Sequence, residues 1–260
     1  MGKPAINQDF PLETSATTSF DCLTWNVHRG RGNGNGFNPD RVHTAIETEI
    51  AARTIRCLAL QEADLEVDPQ PGFLDISRIE RATGLHSVHT SPQMRTHARS
   101  SGFFGCVTFV DADFQVTGQT VVDLPGHWHR GAVVVEGRWN TVPVRLVNTH
   151  LSRSEVLRMA QMRTLGQVIS RRAPMQTIVM GDINDWRFWR GPAFHPRLVG
   201  TSLEGPRRRT FPMRCPLLAL DRIMTDAPGR VEELEVLDGA AITIASDHHP
   251  LWGRVMIGAR

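Results

Sequence analysis

Residues 177–180 of this 260-residue chain form an apolar run that reads as a buried strand, and it stops at Gly181, ahead of Asp182 and Asn184. In an extended chain, residues two apart point to the same side. Asp182 and Asn184 therefore aim together past the strand end. A carboxylate and a carboxamide converging there suit a hard cation or a reacting phosphate. Gly, Asp and Asn also make ordinary polar turns, which is the competing reading of this segment alone.

Five further runs follow the same plan. Residues 22–25 lead to Asn26, and residues 57–60 lead to Gln61 and Glu62. Residues 144–147 lead to Asn148, Thr149 and His150, and residues 218–220 lead to Asp221. Residues 241–245 lead to Ser246, Asp247 and His248. As structural accidents these are separate coincidences. A single site at one edge of a sheet, or of a pair of sheets, accounts for all of them.

The ordered set Trp25-Asn26-Val27, Gln61-Glu62, Asn148-Thr149-His150-Leu151, Gly181-Asp182-Ile183-Asn184, Leu220-Asp221-Arg222-Ile223 and Ser246-Asp247-His248 resembles the endonuclease/exonuclease/phosphatase superfamily. That superfamily includes DNase I-like nucleases, AP endonucleases, inositol-phosphate phosphatases and sphingomyelinase-type phosphodiesterases. The likeness spans residues 20–257. Arg130-Gly131-Ala132 and Arg209-Thr210-Phe211-Pro212 add a likeness to its small bacterial members. The resemblance implies an α/β fold, a four-layer α-β-β-α sandwich of two mixed sheets flanked by helices.

It also implies hydrolysis of a phosphodiester by direct attack of an activated water. Asp182 would orient or deprotonate that water, and Asn184 would hold it or a phosphate oxygen. His248 would contact the phosphate, with Asp221 holding and polarising its ring. His150 is the second histidine expected near the phosphate. Glu62 leads the candidate metal ligands, followed by Asn26 and Asp247. Hard oxygen donors without a Cys/His cluster favour Mg2+ or Mn2+ over zinc. Arg130 is a candidate phosphate contact, with Arg99 and the basic run Arg207-Arg208-Arg209 behind it. Trp186, in the loop 185–190 where aromatics alternate with arginine, could stack a base or another bulky group, or cover the core. AP endonucleases place a tyrosine in their site, and this chain has no tyrosine, which counts against AP-site cleavage.

Composition bounds the rest. Apolar content of 40%, charged content of 22% and a net charge of +2 fit an ordinary globular protein, short of the strongly basic balance of a dedicated nucleic-acid domain. Lys3 is the only lysine among 29 basic residues, a bias that reads as genome composition. The four cysteines are widely spaced. Cys22, Cys57 and Cys106 sit in apolar runs and read as small buried hydrophobes in a reducing compartment. No secretory h-region or membrane-length run is visible, so the expectation is a cytoplasmic monomer. Its expected partners are a phosphoester substrate, namely nucleic acid, a phospholipid headgroup or a small phosphodiester.

Positioning such a site requires many strands. The pattern gives a loose lead-in over 1–18 and one domain over 19–260, with no Gly/Ser- or Pro-rich linker. Asn38 or Asp40 can cap a helix with Pro39 in its first turn and Val42, Ala45, Ile46 and Ile50 as its apolar stripe. A second helix over 75–83 ends at Gly84. Runs at 103–110, 114–123, 131–139 and 142–149 read as strands. Ser152 and Glu155 fit a capping box for the longest helix, with Leu157, Ala160, Thr164 and Val168 on its buried face. Further strands are expected at 176–180, 218–225, 230–237 and 251–257.

Two other function classes compete with this reading. A dinucleotide fingerprint needs glycines at i, i+2 and i+5, and Asn35, Phe37 and Pro39 occupy the third place in the registers from Gly30, Gly32 and Gly34. A non-catalytic scaffold predicts loss of the acidic, amide and histidine set, all of which is present. A phosphatase or headgroup phosphodiesterase of the same superfamily stays open beside a nuclease. His86, His89, His97 and His195 read as structural, and His249 as a turn residue before Pro250.

Overall fold

Alternate residues of the central strands serve different layers, and that alternation builds the molecule. A computed structural model describes residues 18–34, 36–126, 129–187 and 191–258. Eleven strands are present among them: β1 Thr18–Asn26, β2 Cys57–Gln61, β3 His86–Ser87, β4 Val107–Val110, β5 Gln115–Leu124, β6 Arg130–Trp139, β7 Val142–His150, β8 Gln176–Asp182, β9 Asp221–Thr225, β10 Arg230–Val236 and β11 Leu251–Ile257. They form a six-stranded sheet, β10-β11-β1-β2-β4-β3, and a five-stranded sheet, β5-β6-β7-β8-β9. Each contains one parallel pair, β1 with β2 and β7 with β8, among antiparallel neighbours. The helices are α1 Asp40–Ala45, which runs on into a π-helical turn Ile46–Ile50, α2 Ile76–Thr83, α3 Glu155–Ser170, α4 Pro196–Val199 and α5 Ala240–Ala245.

The two sheets lie face to face. Cys22, Cys57 and Ala59 meet Val133, Val135, Ile178 and Met180 in the inner core. The residues between them turn outward. Leu23, Trp25, Leu58 and Leu60 pack under α1, α2 and α5 through Val42, Ile46, Ile79 and Ile242. Val134, Val147 and Val179 pack under α3 and α4 through Met162, Leu165 and Val199. This is the α-β-β-α sandwich expected from the motif set. Burial of each large aliphatic side chain contributes roughly 1.5–3 kcal/mol before conformational entropy is counted.

A polar link crosses the inner core. Gln61 Nε2 donates to Asn148 Oδ1 at 2.8 Å, and Asn148 Nδ2 donates to the carbonyls of Leu60 and Val107 at 3.2 and 3.0 Å. Asn148 thus ties β7 of one sheet to β2 and β4 of the other. It is a buried structural pin rather than a site residue.

Local signals behave as their chemistry requires, with four corrections. Val42, Ala45, Ile46 and Ile50 are buried. The Asp75 carboxylate accepts from Arg78 N at the start of α2, and Gly84 closes it with φ 72°. For α3, however, Ser154 rather than Ser152 is the N-cap. Glu155 pairs with Arg187 instead of closing a capping box. The face of α3 that is buried is Arg158, Gln161, Met162, Leu165 and Gly166, rotated by about one position from the expected stripe. Polar anchors take the inner positions: Arg158 donates to the carbonyls of Ser152 and Arg153, and Gln161 to that of Pro125. Residues 241–245 form a helix, not a strand, with Glu49 accepting from Ala241 N and Ile242 N at its start. In the 218–225 run, the strand begins only at Asp221. His249, in the turn segment before Pro250, is also buried, its ring 3.1 Å from Leu237 O and 3.0 Å from Met213 O.

Candidate active site

The strand ends carrying chemistry meet at one edge of the sandwich. β1 ends at Asn26, β2 leads into Glu62, β7 ends at His150 and β8 at Asp182. Antiparallel β9 starts at Asp221, opposite Asp182. Asp247 and His248 precede β11. One cleft of about 340 Å3 is lined by Asn26, Glu62, Asp182, Asn184, Asp247 and His248, among others. Trp186 lies on its rim and is 55% exposed, with the Arg187 guanidinium 5.8 Å from its ring centre. Trp186 is therefore available at the cleft rather than buried beneath it. Phe188, Trp189 and Arg190 lie outside the described residues.

Asp182 is the hub. Its Oδ2 accepts from Asn26 Nδ2 at 3.0 Å and lies 3.3 Å from His150 Nε2 and 3.9 Å from His248 Nε2. Its Oδ1 accepts from Asn184 N at 3.1 Å. Burial pushes its pKa above the usual carboxylate range; the His248 charge opposes the rise, while Asp221 and Glu62 add to it. Asn184 adopts φ 55° and donates from Nδ2 to Leu151 O at 3.0 Å, which locks the β8 exit loop onto the β7 exit loop. Gly181 permits this approach. With φ 141°, its added Cβ would stand 1.9 Å from Thr149 O.

His248 Nδ1 lies 2.9 Å from Asp221 Oδ2. Burial alone would lower the imidazole pKa, but attraction and hydrogen bonding from Asp221, with Asp182 and Asp247 beyond, overcome it and push the value to about 10. Thr210 Oγ1 also donates to Asp221 Oδ2, and the Phe211 ring centre is 4.8 Å from that of His248. His150 is the opposite case. Burial, reinforced by the charges of Arg130 and Arg29, lowers its pKa well below the ordinary imidazole value. Arg130 Nη1 is 3.3 Å from His150 Nδ1. A neutral ring accepting there carries its proton on Nε2, facing Asp182.

Glu62 takes φ 54°, pairs with Arg29 through Oε2 and lies 4.0 Å through Oε1 from His150 Nε2. Asp247 Oδ1 is buried without a hydrogen-bond partner and is 3.4 Å from His28 Nδ1. Asn26 Oδ1 accepts from His28 N at 3.0 Å. Among the described residues, no three His, Cys, Asp or Glu side chains converge as a metal cage. The donors at this cleft are nonetheless hard oxygens, and one is an orphaned buried carboxylate oxygen. Sparse oxygen ligation fits Mg2+, which takes one or two carboxylates and keeps several waters; it does not fit structural zinc.

Arg29, Thr210 and Phe211 also belong to the neighbourhood. Arg29 lay hidden in a glycine- and asparagine-rich loop, and only its pairing with Glu62 and Glu66 reveals it. Thr210 and Phe211 sit in the Arg209-Thr210-Phe211-Pro212 motif, whose signal was visible without a role. Arg99 is exposed and lines none of the clefts described. Arg207 donates to Arg187 O at 2.8 Å, which stabilises the loop beside the cleft. His89 is structural, its ring 2.7 Å from Met94 O and accepting from Thr108 N at 3.0 Å. No helix is long and apolar enough to cross a membrane among the described residues.

Comparison with known proteins follows the same geometry. Escherichia coli (strain K12) carries a relative, "Uncharacterized protein YbhP", that is 35% identical over 88 residues, covering 31% of this chain and 34% of that protein. The aligned stretch spans only about a third of that relative. A functionally unknown conserved protein from Enterococcus faecalis V583 superposes with a TM-score of 0.69 at 18% identity, over 92% of this chain and 100% of the other. D. rerio TDP2 complexed with single-strand DNA product superposes with a TM-score of 0.66 at 15% identity, over 92% and 99%. The model of the Endonuclease/Exonuclease/phosphatase family matches residues 23–248, from within β1 to His248, and the chain belongs to that family.

Proposed function

We propose that this chain is a divalent-metal-dependent phosphodiesterase, acting on nucleic acid or a related phosphodiester by direct attack of water. The observation that carries this reading is the meeting of Asp182 with the His248–Asp221 pair in one cleft beside Glu62 and Asp247. Family membership supports a phosphoester hydrolase, and the DNA-bound relative supports nucleic acid as the substrate class.

Asp182, with its raised pKa, can take a proton from the attacking water near neutral pH, where an ordinary aspartate is a poor base. Asn26, His150 and Asn184 hold its carboxylate in place. His248 is cationic and is oriented by Asp221. It donates from Nε2 to a phosphoryl oxygen as charge builds there. Burial, helped by the Arg130 charge, keeps His150 neutral, and Arg130 adds positive charge beside the phosphate. Glu62 and Asp247, with Asn26, would hold Mg2+ or Mn2+, which supplies charge neutralisation at the phosphate when bound.

The test is an activity panel with bis-p-nitrophenyl phosphate, p-nitrophenyl phosphate, single- and double-stranded DNA, RNA and phospholipids, with and without EDTA. Diester turnover that needs Mg2+ or Mn2+ and falls about 10²–10⁴-fold in Asp182→Ala and His248→Ala is expected. Turnover that survives chelation, or survives both substitutions, overturns the reading.

A further inference from the structure

A second cleft of about 280 Å3 opens beside Glu62 and Arg130, on the side away from His248. It is smaller than a pocket for a drug-sized ligand, roughly 300–1,000 Å3, and suits a single ring system. One wall is aromatic: the rings of Phe104 and His129 stack at 5.2 Å with 22° between their planes. Gln70 also lines it, is 8% exposed, and has its Oε1 buried with no hydrogen-bond partner. A buried amide oxygen without a partner is costly and points to a missing donor.

Gln70 is held to that task. Its backbone takes φ 51°, a conformation L-residues rarely adopt, while its N donates to Val67 O at 2.7 Å and its O accepts from Ser100 Oγ at 2.7 Å. Beyond Arg130, which faces His150 and the neighbouring phosphate site, the charges around the cleft argue against a second phosphate. Arg29 is already paired with Glu62 and Glu66, and Asp64 adds a third carboxyl. An uncharged planar ring with an N–H at its edge satisfies both walls.

We infer that this cleft is a nucleobase subsite next to the reacting phosphate. The base lies against Phe104 and His129, and its exocyclic amine donates to Gln70 Oε1. This rests on reading the neighbouring cleft as a phosphodiesterase site.

Calorimetric titration tests it on the full chain with Mg2+, in an Asp182→Asn background that prevents ligand turnover. The ligands are adenosine 5′-monophosphate, purine riboside 5′-monophosphate (which has no ring-edge N–H), ribose 5-phosphate and phosphocholine. Adenosine monophosphate should bind about tenfold more tightly than either purine riboside monophosphate or ribose 5-phosphate. Gln70→Leu should abolish the first preference, and Phe104→Leu should weaken both purine nucleotides relative to ribose 5-phosphate. In the otherwise native chain, Gln70→Leu should leave bis-p-nitrophenyl phosphate turnover unchanged. Equal binding of adenosine monophosphate and ribose 5-phosphate, or tighter binding of phosphocholine, overturns the subsite even where the diester is hydrolysed. An adenine preference that depends on Gln70, without diester turnover, sustains the subsite and overturns the phosphodiesterase reading.

Discussion

Asn26 Nδ2 donates to Asp182 Oδ2 at 3.0 Å, joining the end of β1 in one sheet to the end of β8 in the other. That bond favours the ionised form of Asp182 and partly counters the effect of burial. Asn26→Ala should therefore raise the Asp182 pKa further. The acidic limb of kcat/KM against pH should move to higher pH, with a loss of about tenfold or more at neutral pH and partial recovery in mild alkali. A rate profile with bis-p-nitrophenyl phosphate checks this; an unmoved limb separates Asn26 from the proton transfer.

Asp221→Asn removes the charge that holds His248 protonated. Its alkaline limb should fall from near 10 toward neutrality, with a rate loss of about 10²-fold or more. Stability follows with a defined sign. A histidine whose folded pKa is raised stabilises the fold fully below its unfolded value of about 6.5 and loses that contribution as pH rises toward 10. The Tm difference between the two proteins should be constant below pH 6.5 and shrink above it. Differential scanning fluorimetry across that range is the measurement.

Asp64 gives a slope of the same sign at lower pH. Burial raises its pKa from 3.8 to about 6, although its carboxylate accepts from Ser101 N and Gly102 N. The folded state holds the proton more firmly, so stability should fall by about 2 kcal/mol as pH rises from 4 to 6. Denaturant titrations at pH 4, 5, 6 and 7 should show this slope in the native protein and not in Asp64→Asn.

Gly181→Ala tests the β7–β8 approach. A methyl group 1.9 Å from Thr149 O forces backbone movement at a positive-φ position. A loss above about 4 kcal/mol, or insoluble protein, is expected. A stable, soluble variant would show that the two strand ends can separate without harm.

Much of this architecture was legible. The continuous apolar runs at 22–25, 57–60 and 177–180 marked β1, β2 and β8, and the residues they were expected to deliver (Asn26, Glu62 and Asp182) share one cleft. What escaped detection had a physical cause. The 241–245 run is too short for periodicity to separate strand from helix, and its helical start depends on a distant partner, Glu49. The buried face of α3 escaped because Arg158 and Gln161 look like solvent residues until their carbonyl partners are known. Arg29 is a loop arginine whose meaning comes only from Glu62, 33 positions away.

The Gln61–Asn148 amide contact has a consequence for the reaction itself. In the proposed mechanism the base and the group that steadies the phosphate come from opposite leaves of the sandwich: Asp182 from one, His248 from the segment entering the other. Their spacing is set by how the leaves are aligned, and the amide pair fixes that alignment from below. A change there that never touches substrate should detune the distance between Asp182 and His248, slowing turnover while leaving ground-state affinity largely intact.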